Sequence, residues 1–199
     1  MRAWILVVIG AVLPLVGGAS LGSITATEGS HTWSYPVQPA AFLWMSVVLA
    51  IAHLLVLVGY LEVARRTTGL GSTLARVGAA GTAAVALCEL WSGLVARTDL
   101  DAPVLTALDV GYAISGLVIV VGTIGSGLVL RGTGSRFALP LLVNGSFLAV
   151  ALLVRFFASD GLGIAALTLW SLSYCWLALS LRAASRTRQA AVSGLPTAG

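Results

Sequence analysis

The stretch PAAFLWMSVVLAIAHLLVLVGYL, residues 39–61, decides the fold. It runs 23 residues without an Asp, Glu, Lys or Arg. A helix needs about 20 mostly apolar residues to cross the hydrocarbon core of a bilayer. The rest of the chain reads the same way. Of its 199 residues 58% are hydrophobic and only 9% are charged, and the mean hydropathy is +1.01. A soluble domain carries about 25% charged residues. With so little charge the surface is not water-compatible, and the solvent around most of the chain is lipid.

Working outward from residues 39–61, five more segments have the length and apolarity of spans. The full set is 3–19, 39–61, 76–96, 104–130, 137–157 and 162–181. The expected fold is therefore an all-α polytopic bundle of six transmembrane helices over residues 1–181. Residues 182–199 are Arg-rich and then Ser/Gly/Pro/Thr/Ala-rich, which predicts a disordered cytoplasmic tail. The connections are polar: 20–38, 62–73, the acidic turn 97–103, the basic turn 131–136, and 158–161. Residues 20–38 read as a flexible connection, or alternatively as a cover over one mouth of the bundle through Glu28, His31, Trp33 and Tyr35. Trp33, Tyr35, Phe42 and Trp44 also suit membrane-interface anchors.

Arginine placement sets the expected orientation. With the N-terminus inside, Arg2, Arg65, Arg66, Arg76, Arg131, Arg136, Arg182, Arg186 and Arg188 fall on the cytoplasmic side. Only Arg97 and Arg155 fall outside. The positive-inside rule then predicts both termini in the cytoplasm. Met1-Arg2 with the apolar run to Val16-Gly17-Gly18-Ala19-Ser20 also fits a cleaved signal peptide. The single charge before the run, and the even number of spans that two cytoplasmic ends require, favour a retained helix.

The net charge of +4 comes from 11 arginines and no lysine. These sit at the ends of apolar runs, which argues for cytoplasmic loops and against nucleic-acid binding. Cys88 and Cys175 have no Cys or His neighbour at ligand spacing, so neither a disulfide framework nor a zinc site is expected.

Ionisable or strongly polar residues inside spans are expensive and mark candidate sites. The candidates are Glu89, His53, Asp109 and Arg155, with Tyr112 and Asn144 as hydrogen-bonding partners. On the third span, Thr82, Ala86, Glu89 and Gly93 share a face at helical spacing, beside the small-residue line Ala75-Ala79-Ala83. On the fourth, Gly111, Ser115, Gly122 and Ser126 form a comparable line. These stripes predict close packing of the third and fourth helices, or alternatively a homo-oligomer or membrane-protein contact. Glu89 should point into a helix contact, where a protonated carboxyl would donate to Ser92, Tyr112 or Asn144. Asp109 and Arg155 both lie roughly 12 Å outward of their helix centres at 1.5 Å per residue. An ion pair between them is one reading, and independent snorkelling to the headgroups is the other. His53 shares a polar line with Ser46, Ala50 and Tyr60, while Thr168, Ser171, Tyr174, Cys175 and Ala178 give the sixth span a mild polar face. A haem in a bundle wants paired histidines from facing helices, and the second histidine, His31, is in a loop. No cofactor, metal or catalytic residue is assigned, and no nucleotide, phosphate-loop or hydrolase motif is present.

The turn Leu61-Glu62-Val63-Ala64-Arg65-Arg66, the Ala/Gly-rich third span, and the basic turn leading into Phe137-Ala138-Leu139-Pro140 resemble a broad group. These are the small uncharacterised multi-pass integral membrane proteins of high-GC bacteria. The likeness lies in composition and span layout over most of the chain. It implies a plasma-membrane location and carries no activity with it. Three functions remain open. The first is a non-enzymatic accessory or interaction protein of the plasma membrane, with the lipid bilayer as its surroundings. The second is a small transporter or channel subunit using an intramembrane carboxylate. The third is a membrane-embedded lipid-modifying enzyme.

Overall fold

Residues 39–61 form a helix, and so does most of each of the five other apolar segments. The computed structural model describes residues 2–21, 23–25, 30–157 and 160–193, without the side chains of 18–19, 155–157, 160–164, 188 and 190–193. The helices are α1 (Ala3–Leu21), α2 (Pro39–Arg66), α3 (Gly69–Leu94), α4 (Pro103–Gly132), α5 (Ala138–Phe157) and α6 (Asp160–Ser193). Pro39 and Pro103 open α2 and α4, where a missing N–H leaves no bond unmade.

Among the described residues three helices are long and apolar enough to cross a membrane: Pro39–Arg66, Gly69–Leu94 and Pro103–Gly132. Two further apolar stretches, Ala3–Gly17 and Ala138–Val154, are shorter. At 1.5 Å per residue they reach roughly 22 and 25 Å, against a hydrocarbon core of about 30 Å. The six expected spans are thus six helices, of which three meet the spanning requirement.

Two expected loops are largely helical. The 62–73 connection shrinks to Thr67-Thr68, because α2 continues to Arg66 and α3 begins at Gly69. Glu62 pairs with Arg66 at 2.7 Å and with Arg65 at 3.7 Å, at the i,i+4 and i,i+3 spacings that hold a helical turn. Gly69 reverses the chain at φ +60°, a conformation that a side chain would strain. The Ser72 hydroxyl donates to the Ala64 carbonyl at 2.7 Å and locks the two helix ends together. The tail expected to be disordered from residue 182 continues α6 to Ser193. Its Ala and Arg residues are good helix formers, and it docks on its neighbours. The Arg182 guanidinium lies 5.0 Å from the centre of the Trp4 ring, and Arg66 Nη2 donates to Ser185 Oγ at 3.2 Å. Residues 194–199 lie outside the described residues.

Each helix packs on the next in sequence, α1 also packs on α6, and α2 reaches α6 across the middle. The result is a closed ring. One end, the acidic end, carries the 30–38 loop and the α3–α4 turn. The other, the basic end, carries the α2–α3 and α4–α5 turns and the last turns of α6. α1 belongs to the core: Val7 and Ala11 are fully buried, and Ser171 Oγ donates to the Ala11 carbonyl at 3.1 Å.

The polarity of this ring is inverted relative to a water-soluble bundle. Ser46, Thr82, Ser92, Thr123, Ser126 and Asn144 are buried, while Leu94 is 78% exposed and Leu87 68%. Large aliphatic residues of this kind are exposed on every helix, which soluble monomers avoid over extended patches.

α3 and α4 pack closely, as expected, with Gly122 and Ser126 of the α4 line meeting Gly78 and Gly71, which lie outside the small-residue line expected on α3. A Cβ on Gly122 would collide with the Gly78 backbone and lie 2.9 Å from the Leu74 carbonyl. Ser126 Oγ donates to the Gly71 carbonyl at 2.9 Å across the same seam. Gly122→Ala should therefore destabilise the protein by about 1–3 kcal/mol, since backbone cannot rotate out of the way. Gly132→Ala, with open space around the new methyl, should leave stability nearly unchanged. Thermal unfolding of the two variants in detergent checks the contrast.

Candidate functional site

The polar residues singled out from the sequence do not form one site. The ring sorts them into two clusters, one toward each end.

The first cluster crosses the bundle between α2, α5 and α6. Tyr60 Oη lies 2.6 Å from Asn144 Oδ1 and 2.9 Å from Tyr174 Oη. Asn144 Nδ2 donates to Ser173 Oγ at 2.7 Å, and Ser173 Oγ donates to the Trp170 carbonyl at 2.6 Å. Proton count fixes the direction. Tyr60 has one proton, and Asn144 Oδ1 only accepts. Tyr60 therefore donates to Asn144, and Tyr174 donates to Tyr60. The chain runs Tyr174 to Tyr60 to Asn144 to Ser173 to the Trp170 carbonyl with no donor duplicated. Tyr60 and Asn144 are fully buried, and Tyr174 and Ser173 nearly so. Aromatic contacts extend the cluster. Tyr60 meets Tyr174 edge-on at 5.8 Å, Trp170 lies 5.6 Å from Tyr174, and His53 lies 5.8 Å from Trp170. His53 Nδ1 is 2.9 Å from the Leu49 carbonyl of its own helix. A carbonyl only accepts, so the ring proton facing it sits on Nδ1.

The second cluster joins α3, α4 and the 30–38 loop. The Tyr112 side chain lies beside those of Glu89 and Ser92. Ser92 Oγ accepts from Trp33 Nε1 at 2.8 Å. Cys88 and Ser115 are neighbours beside them. Glu89 and Tyr112 are half-buried. Trp33 enters here because its loop is docked over the described residues 30–38, where a flexible connection was expected. Trp33 N–H donates to the Thr98 carbonyl at 2.9 Å, Ser34 N–H to Ala96 at 3.1 Å, and Leu100 N–H to His31 at 2.9 Å. His31 Nε2 lies 3.3 Å from Asp99 at the exposed rim. Glu28 lies outside the described residues. Trp33, expected as an interface anchor, thus anchors a loop to a helix turn.

Of the six candidate residues, Glu89 and Tyr112 come together. Asn144 and His53 belong to the other cluster. Asp109 is exposed on α4. Its proposed pairing with Arg155 lies outside the described residues, because the Arg155 side chain is not placed. Sequence reasoning missed Ser173, Trp170 and the role of Trp33. Ser173 and Trp170 sit one turn apart on the polar side of α6, a signal that the spacing of Tyr174 alone did not reveal. Among the described residues no three His, Cys, Asp or Glu side chains gather as a metal ion would need.

Compared with protein-family models, curated proteins and solved structures, the chain matches none of them.

Each cluster has a test. Tyr60→Phe removes the proton that reaches Asn144 and should cost about 1 kcal/mol. A double-mutant cycle with Asn144→Ala should show coupling of about 0.5–2 kcal/mol, read from unfolding in mixed micelles. Trp33→Phe keeps the ring but not the donor to Ser92. It should expose the 30–38 loop to limited proteolysis while leaving the helices intact by circular dichroism.

Proposed function

We propose that the chain is an integral membrane protein with six spanning helices and both ends in the cytoplasm. It serves as a non-catalytic accessory or interaction protein of the plasma membrane. The observation that carries this reading is how the interior polar groups are used. Tyr174, Tyr60, Asn144 and Ser173 bond one another across three helices, and Glu89 sits beside Tyr112 and the Trp33-linked Ser92. In lipid every buried polar group needs an internal partner, and polar side chains matched in this way hold helices together. A transport path or an active site instead asks for ionisable groups converging on an open, reachable point.

The spanning part of the proposal draws on the exposed aliphatic surface and on helix length. α1 and α5 extend to 19 and 20 residues when their end turns are included. A small shortfall against the bilayer is met by local thinning and by flanking residues that snorkel. The orientation draws on the charge at the two ends. Arg65, Arg66, Arg131, Arg136, Arg182 and Arg186 gather at the basic end, whereas the α3–α4 turn holds Arg97 with Asp99 and Asp101.

Two measurements test this. In a background lacking Cys88 and Cys175, Asp101→Cys should react with an impermeant maleimide added to intact cells, and Thr133→Cys should react only after lysis. The reverse pattern would place the termini outside. In liposomes the wild type should show no proton or cation flux, and Glu89→Gln should melt earlier without changing that baseline. Flux abolished by Glu89→Gln would replace this reading with a carboxylate-based transporter.

A further inference from the structure

At the basic end α1, α2 and α6 border an open cavity of about 360 Å³, whose wall includes Arg2, Trp4, Glu62, Arg65, Arg66 and Ser185. Three guanidinium groups stand against one carboxylate, leaving two positive charges in excess. These groups are unequally committed. Arg66 is fixed: its Nε is 2.7 Å from Glu62 and its Nη2 is held by Ser185. Arg65 touches Glu62 only at 3.7 Å and is 79% exposed at its side chain. Arg2 is exposed, and no carboxylate among the described residues lies within ion-pair distance of it. The cavity thus has one guanidinium held by two partners and two that are exposed and largely uncommitted.

Trp4 adds an aromatic surface. Its ring forms part of the wall, and Arg182 lies against the ring, bringing a further guanidinium close to the cavity. Guanidiniums in excess over carboxylate ask for an anion rich in acceptor oxygens, and arginine forks match phosphate geometry in particular.

We propose that this cavity binds a phosphate group, delivered by the headgroup of an anionic membrane lipid. The cavity volume falls in the range of small-molecule sites. Basic pockets between spanning helices at the cytoplasmic face hold phosphate headgroups. The lipid as source rests on the spanning reading above. The phosphate chemistry of the site does not.

The experiment uses the purified full chain in detergent micelles, with native mass spectrometry as the readout. The probes are phosphatidylglycerol, zwitterionic phosphatidylcholine, and soluble glycerol 3-phosphate. Wild type should retain phosphatidylglycerol at least tenfold more tightly than phosphatidylcholine. Arg2→Gln/Arg65→Gln should lose that binding at least tenfold with an unchanged melting temperature, since both side chains are exposed. Arg131→Gln/Arg136→Gln removes the same charge from the α4–α5 turn and should change binding less than twofold. Displacement of the lipid by glycerol 3-phosphate supports a site for the phosphate group whatever its source. Lipid binding that resists displacement but falls in Arg2→Gln/Arg65→Gln supports a site that holds headgroup and chains together. Equal loss in the two double variants would overturn the proposal in favour of diffuse surface attraction. So would the absence of both a phosphatidylglycerol preference and glycerol 3-phosphate binding. Maleimide labelling reports on the spanning reading separately, so failure of one does not imply failure of the other.

Discussion

The Tyr60 hydroxyl has one proton and two oxygens in reach, and the bundle is organised around how that conflict resolves. A ring of six helices in which each packs on its neighbours still leaves opposite members unconnected. Tyr60 reaches from α2 to Asn144 on α5, two helices that make no direct backbone approach. Tyr174 supplies the second proton from α6, and Asn144 passes the chain on to Ser173. The four side chains form one directed series from Tyr174 to the Trp170 carbonyl. A buried polar network of this kind favours one arrangement, because a shift in register breaks its bonds inside the bundle. Tyr60 is also among the largest fully buried side chains, so it fills the space that it crosses.

The α3–α4 seam works by a different principle. Gly78 and Gly122 let two backbones approach without side chains between them, and Ser126 adds a bond to the Gly71 carbonyl. Close approach increases dispersion contacts along both helices, and these do not depend on water as an opponent. Glycines bring other neighbours close as well, Gly10 against Ala52 of α2 and Gly145 against Thr123 of α4, and the hydrogen-bond chain adds a link between helices whose backbones do not approach each other.

The ends differ as well. At the acidic end the 30–38 loop pairs with the α3–α4 turn and sends Trp33 down to Ser92, beside Tyr112 and Glu89. At the basic end the side chains are longer and only partly paired, and the helices leave a cavity between them. The asymmetry places a docked loop at one end and a cavity lined by arginines at the other.

Much of this was legible in the chain itself. Long chargeless runs, Pro39 and Pro103 at helix starts, and arginines at run ends determined six helices and an uneven distribution of charge, because helix formation and end signals are local. The glycine and serine spacing of 111–126 against 75–93 determined that α3 and α4 would meet. What the sequence understated was also local: the Glu62–Arg66 pair and the Ala/Arg content after Leu181 extend α2 and α6 beyond the apolar runs. Only the tertiary structure decided which polar group meets which. Helical periodicity states the face on which Tyr60, Asn144 or Glu89 lies, but not the helix opposite that face or the height at which it passes. Those follow from the order of packing around the ring and the register of each contact. That is why Asn144 joins Tyr60 instead of Glu89, and why Trp33 reaches Ser92 from the loop.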